Sequence, residues 1–361
     1  MISKNIAFVA LLSLVVLSVC VSAGESYNFF FLSDTHFGDE ESFETEASVK
    51  WHFPATGNPR RCALCMPKYE AILEQIRNGC NDSTFALIHA GDFLDGFAKT
   101  PELHAGQFRK YLAFLKNKSG LKVLIVNGNH DMLGKDGSVV YAREMNPFIA
   151  SMIGKPVDST SNFTVWHGDD LFLFSDYYGV SAKHRCDYLV KKLGSLEKRP
   201  RHLFVVIHPN IIQYPDAQTT LLRELLVRHN AIVLCGHTHA TQLIEYRDNG
   251  GVLSQFSVCA LLSPNSAQNY RKETTDQEEF FARLAEDRYY TAKDKNGNLK
   301  HDYTREFAEV IAPRITRYWK AVGCGFAEMK VSDSGVDAFV HSADANAKPI
   351  QVKLRLKEYC H

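Results

Sequence analysis

Five short polar clusters in this chain carry residue types that could hold metal ions. They are Asp34-Thr35-His36, Gly91-Asp92 with Asp95, Gly128-Asn129-His130-Asp131, His208, and Gly236-His237-Thr238-His239. Singly, each reads as an ordinary polar group at a chain turn. Together they offer carboxylates, an amide oxygen and several imidazoles. Such a mixed nitrogen and oxygen donor set suits Mn, Fe or Zn rather than Ca or a thiolate cluster.

The elements that must position these groups can be read upstream of each cluster. Residues 27–33, 85–88, 121–127, 203–207 and 231–235 are apolar runs that read as buried strands. Strands that all end in Asp, Asn or His point to one shared site at the mouth of a sheet, where ligands bind in α/β folds. Gly91 lets the chain turn sharply where a side chain would collide with the strand end. Between the strands, residues 67–78 have helical apolar spacing at Tyr69, Ile72, Leu73 and Ile76, with Pro67 near the start and Gly79 just beyond the end. Residues 102–116 and 219–229 read as two further amphipathic helices. Residues 163–166 and 171–174 form an expected hairpin about Gly168-Asp169. Strands alternating with helices give an α/β layer structure.

Two stretches break that alternation. Residues 39–66 leave directly from the Asp-x-His turn and are expected to overhang the site. Within them, Arg60 and Arg61 either clamp a substrate phosphate or belong to a solvated loop, and Cys62-x-x-Cys65 is expected to form a disulfide or local clip rather than a zinc site. After a main domain over residues 24–262, residues 263–361 form a C-terminal extension. There, residues 265–301 read as a charged loop with a helix near 278–288, and 302–321 as a helix bent at Pro313. Residues 326–331, 336–341 and 350–356 read as short strands that can extend the main sheets.

At 361 residues, 45% hydrophobic and 23% charged, the chain is long and apolar enough for a large core. Its formal net charge is zero, which excludes the broad basic field of a nucleic-acid surface. Residues 1–23 have the pattern of a signal peptide: Lys4, an apolar stretch over 6–19, and Val21-Ser22-Ala23 as cleavage site. The expectation is a secreted or otherwise extracytoplasmic protein that starts near Gly24 and has no membrane span after processing. Eight cysteines then remain (Cys62, Cys65, Cys80, Cys186, Cys235, Cys259, Cys324, Cys360), an even number compatible with disulfides. Asn81, Asn117 and Asn162 each begin a glycosylation triplet.

Taken in order, the five clusters resemble the motifs of the calcineurin-like metallophosphoesterase superfamily, over residues 27–246. The resemblance implies a four-layer αββα sandwich, with two mixed β-sheets flanked by helices, plus a C-terminal helical and β-rich extension. It implies one metal held by Asp34, His36 and His239, another by Asn129, His208 and His237, and the Asp92 carboxylate bridging both. Two such ions about 3.5–4 Å apart activate a bridging hydroxide for in-line attack on phosphorus. Two carboxylates against two dications leave positive charge, which favours a small phosphorylated substrate. His130 is implied as the group that assists the leaving oxygen, with Asp95 holding its other ring nitrogen; Asp131 reads as a link to a loop. Gly96 stands where the Ser/Thr phosphoprotein phosphatase branch has arginine, and Asp131 where it has Glu, so that branch does not fit. An exported phosphomonoesterase or a phosphodiesterase acting on nucleotides or phospholipid head groups fits better. The remaining alternative is an exported module that binds a metal or other ligand without turnover. His89 reads as a satisfied core histidine, and Cys235 as a buried thiol or disulfide half.

Overall fold

In each inner strand, side chains alternate between two apolar compartments, and this sets the layering. The computed structural model describes residues 25–37, 61–96, 98–212, 217–258, 307–321 and 324–356. The first sheet contains β1 (Tyr27–Leu32), β2 (Thr84–His89) and β3 (Val123–Ile125), which pair in parallel in that order. The second is built on β4 (Phe163–His167), β5 (Asp170–Phe174), β6 (Leu203–Val206) and β7 (Ile232–Cys235); β5, β6 and β7 are parallel neighbours and β4 is antiparallel to β5. Phe29 meets Phe172 and Phe204 across the interface at ring distances of 5.5 and 5.4 Å. Phe172, Phe174, Phe204, Val206, Ile232 and Leu234 face the first sheet, while Leu171, Leu173, Leu203, Val205 and Val233 face away from it. Such alternation follows from the two-residue period of a strand, and here both faces are apolar because both are covered.

Helices cover the outer faces. Helices α1 (Arg61–Gly79), α2 (Pro101–Ser119) and α3 (Gly137–Ile153) pack on the first sheet through Leu73, Ile76, Phe108, Leu115, Val140 and Met145. Helices α4 (Asp187–Gly194) and α5 (Ala217–Arg228) pack on the second through Leu189, Leu193, Leu222 and Leu226. Thr100 caps α2 by accepting from the Leu103 amide, Pro101 fits its first turn, and Gly120 ends it in the left-handed region. The result is the four-layer arrangement of two mixed sheets between helices.

The tail completes both sheets. β8 (Thr241–Asp248) and β9 (Gly251–Ser257) form a hairpin in the second sheet, and β10 (Ile315–Ala321) pairs antiparallel with β8. β11 (Gly325–Ser332), β12 (Gly335–Ser342) and β13 (Ile350–Leu356) extend the first sheet, with β11 antiparallel to β1. The sheet orders are β13-β12-β11-β1-β2-β3 and β10-β8-β9-β7-β6-β5-β4.

Several expectations change. Of the helix expected over 302–321, residues 302–306 lie outside what is described; the described part holds a five-residue π turn at Phe307–Ile311 and a 3₁₀ turn at Ala312–Arg314, and then becomes β10. Pro313 ends the helical stretch, and the β-branched and aromatic run that follows places Tyr318 and Trp319 in opposite compartments, which a strand does and a helix does not. Helix α1 begins by Arg61, six residues before the expected start, and runs through Pro67. The proline removes one intrahelical bond, but burial of Tyr69, Ile72, Leu73 and Ile76 holds the element together. The expected disulfides do not form at Cys80, Cys235 or Cys324, which carry free thiols. Cys62, Cys65, Cys259 and Cys360, with Arg60, the Arg61 side chain, the leader, the overhanging stretch over 38–60 and the charged stretch over 265–301, lie outside what is described. Among the described residues no helix is long and apolar enough to cross a membrane.

Candidate metal centre

The parallel ladder of the first sheet continues past its strands and aligns three donor residues. Asp34 N–H donates to Gly91 O and His36 N–H to Asp92 O, both at 3.0 Å. From the second sheet, His208 follows β6 and His237 follows β7, and Gly236 N–H donates to His208 O at 2.9 Å. The two sheets are joined here: His208 Nδ1 lies 2.7 Å from Ala90 O, and His237 N–H donates to Asp34 Oδ1 at 3.0 Å. Five donor residues, Asp34, His36, Asp92, His237 and His239, have positive φ between 45° and 71°. Side chains rarely adopt that region, at about 1–3 kcal/mol each, and it persists where surrounding contacts over-determine it. Two glycines supply the clearance. A Cβ on Gly128 would overlap the Asp92 carboxylate, and one on Gly236 the Asp34 carboxylate.

The donor atoms fall into two groups that share one carboxylate. Asp34, His36, Asp92 and His239 each present an atom within 4.8 Å of the others, and so do Asp92, His208 and His237. His36 Nε2 and His239 Nε2 are 3.2 Å apart, and His239 Nε2 is 3.4 Å from Asp34 Oδ1. On the other side, Asp92 Oδ2 is 3.1 Å from His208 Nε2, and Asn129 Oδ1 is 2.9 Å from His237 Nδ1. The fold thus brings together all seven residues expected to hold metal.

These atoms fit cations better than they fit each other. His208 Nδ1 is occupied by the Ala90 carbonyl, which turns Nε2 into the cluster, where it is buried and makes no well-directed hydrogen bond. A backbone carbonyl behind one imidazole nitrogen is the usual support for a metal ligand at the other. Burial favours neutral Asp34, yet the His239 hydrogen bond and the positive charge of His208 hold its carboxyl well below the usual range. Burial would likewise lower His208, but Asp92 and Asp34 push it up to about 9. His237 is held down at about 3 by burial and by the charge on His208. Without a cation, then, protons balance the carboxylates, while His237 and His36, which burial also lowers, keep lone pairs for coordination.

His130 is fixed from two directions. Its N–H donates to Asp92 Oδ1 at 2.7 Å, and its ring Nδ1 lies 2.8 Å from Asp95 O. The expected partner was the Asp95 carboxylate; that carboxylate instead lies 3.5 Å from His36 Nδ1, and the Asp95 backbone carbonyl meets His130. The reason is the chain direction: Asp95 N–H pairs with Phe37 O, which aims its side chain at the neighbouring loop. Gly96, at φ +76°, leaves no room for an arginine, since a Cβ there would overlap His130 O. Asp131 links loops by accepting from the amides of Asp92, Gly128 and Leu94 at 2.7–2.9 Å. His89 is satisfied by Thr35 Oγ1 at 3.1 Å and the Gly91 amide at 3.2 Å. Cys235 donates its thiol to Asn210 Oδ1 at 2.9 Å, and burial pushes its pKa up.

One supporting group escaped the sequence reading. Asp176, after β5, accepts from Asn127 Nδ2 and from the Gly179 amide, and its own amide donates to Asn162 Oδ1 at 2.8 Å. Burial raises its carboxyl to about 6 against those hydrogen bonds. Two residues on, the Tyr178 ring packs 5.8 Å from His208 and 6.1 Å from His237. The only signal was a polar residue at yet another strand end, with no partner spacing to mark it.

A family model for calcineurin-like phosphoesterases matches residues 27–241. The chain belongs to the calcineurin-like phosphoesterase family, a family of metal-dependent phosphoester hydrolases. Among solved structures it is similar to the purple acid phosphatase PPD1 from yellow lupin (Lupinus luteus) seeds, at 11% identity and TM-score 0.52, covering 91% of this chain and 54% of that one. This chain therefore spans about half the length of the lupin enzyme. It is similar also to PhoD, at 11% identity and TM-score 0.50, over 91% of this chain and 68% of that one. Another similar structure is GAP50, the anchor in the inner membrane complex of Plasmodium, at 13% identity and TM-score 0.47, over 92% and 89%. At these identities the likeness speaks to fold alone. Comparison with curated proteins gives no match.

Proposed function

We propose that the chain is an exported phosphoester hydrolase that works with two transition-metal ions, Mn, Fe or Zn, on a small phosphorylated substrate. The observation that carries this reading is Asp92, one buried carboxylate common to two donor groups. Asp34, His36 and His239 would hold one ion, and Asn129, His208 and His237 the other. When bound, two such ions supply Lewis acidity and an acidified water to an in-line displacement at phosphorus. The chain's own residues set the geometry. Asp92 holds the His130 amide, which fixes the backbone of that loop, and the Asp95 carbonyl holds one ring nitrogen. His130 is the group that would donate a proton to the departing oxygen.

The export reading rests on the leader pattern over 1–23. Asn81 and Asn117 are exposed and open to glycosylation, whereas Asn162 uses its side chain on Asp176 and Thr160.

His130→Ala tests the assignment. The variant is expected to keep its metal content by elemental analysis while kcat falls by about 10²–10⁴. A wild-type rate would remove His130 from the reaction. Aryl phosphate against bis-aryl phosphate, measured on metal-replete protein, separates a monoesterase from a diesterase.

A further inference from the structure

Beside the second metal position sits a cation that no described residue neutralises. Arg185 stacks on two consecutive tyrosines: its guanidinium carbon is 5.0 Å from the Tyr177 ring centre and 5.5 Å from that of Tyr178. Its Nε is buried and meets no hydrogen-bond acceptor. Among the described residues the guanidinium makes no ion pair. The carboxylate nearest in sequence, Asp187, is already taken by His184 Nδ1 at 2.7 Å. Arginine partly desolvated on aromatic faces keeps its full charge and its five donors in a planar fork. Leaving such donors unmet costs free energy, and the complementary group is an oxyanion that accepts two parallel hydrogen bonds.

The position gives that anion a context. Tyr178, one of the two rings under Arg185, also packs against His208 and His237. Arg185 is thus one aromatic ring removed from the second metal's ligands. Tyr177, Tyr178 and Arg185 are half-buried, as are Asn129 and His237, so each is reachable from solvent. Asn127, which accepts the Tyr178 amide at 3.5 Å, and Asp176, which accepts the Gly179 amide at 2.6 Å, tie the loop to the base of the site.

We propose that Arg185, seated on Tyr177 and Tyr178, is a subsite for a second phosphate carried by the leaving group. It makes the chain selective for substrates with two phosphoryl groups over simple monoesters. This rests on the reading of the centre as a phosphoester site. The metal centre takes the scissile phosphoryl group and Arg185 takes the distal one.

The test uses non-hydrolysable probes on the metal-loaded full chain. Alkylene bisphosphonates with one to four methylenes are titrated by calorimetry, each against the alkylphosphonate of equal length. At the spacer that matches the span, the wild-type protein is expected to bind the bisphosphonate about 10- to 100-fold more tightly than its monophosphonate partner. Arg185→Met should abolish that preference, and Arg185→Lys, which keeps the charge but not the fork, should keep part of it. Thermal melts of both variants check the fold. If Arg185→Met leaves the preference unchanged at every spacer, or weakens both probes equally, the subsite is wrong and Arg185 only props Tyr178. If wild-type protein binds no alkylphosphonate at all, the phosphoester reading falls, and the subsite with it.

Discussion

Asp92 carries more of the site than any other side chain. Its carboxylate accepts the His130 amide at 2.7 Å, lies 3.1 Å from His208 Nε2 and belongs to both donor groups. Its own amide is held by Asp131, and Gly128 gives way in front of it. Asp92→Asn keeps the shape but withdraws the charge that two bound cations would share. Elemental analysis should therefore find both ions lost together; loss of a single ion would mean that Asp92 does not bridge. The residue types and their order were legible because a metal site needs these donors whatever encloses it. The Asp95 contact was not, since whether a backbone carbonyl or its own carboxylate reaches His130 depends on how the 92–96 loop pairs with Phe37.

At the scale of elements, the site depends on two sheets staying in register at their donor-bearing ends. Their opposite ends are clamped by a half-buried arginine on a buried carboxylate. Arg201 meets Asp170, which is fully buried at the start of β5, through Nε at 3.0 Å and Nη2 at 2.6 Å. It also reaches Asp333, in the turn between β11 and β12 of the other sheet, at 2.6 Å. Asp170 further accepts from the His202 amide at 2.9 Å. Removing the guanidinium would strand a buried carboxylate, so Arg201→Ala is expected to cost about 3–5 kcal/mol in urea denaturation. A loss below about 1 kcal/mol would show that the clamp is dispensable and that the surface-exposed arm to Asp333 is the larger part of the contact.

For the whole molecule, two buried histidines contribute a dependence of stability on acidity. Burial holds His104, against Phe108 in α2, at about 4, with the Asp131 backbone opposing, and holds His89 at about 3. Both values lie below the unfolded value near 6.5, so between about 4 and 6.5 the unfolded chain binds more protons than the folded one. Stability therefore rises with pH across that window and falls as the medium is acidified. For His104 the loss reaches about 3 kcal/mol near pH 4. Melting curves of His104→Gln should show a flatter pH dependence below 6.5 than the parent; an equally steep curve would place the proton uptake elsewhere.

The α/β class and the metal-binding donor types were already legible in the order of residues. Apolar runs ending in Asp, Asn or His mark buried strands whose loops must converge, and burial alternation along β5–β7 needs nothing beyond the strand period. Residue order also marked Asp131 as a loop link and His89 as a core histidine. Which contacts surround the site follows from how distant segments pair. The pairing of β10 with β8 and of β11 with β1 joins residues far apart in the chain, and local propensity carries no information about such partners. The same holds for Asp176 beneath Asn127, for Tyr178 on His208 and His237, and for Arg185 on Tyr178. Those side chains acquire a role only when the loop after β5 is folded against the ends of β6 and β7.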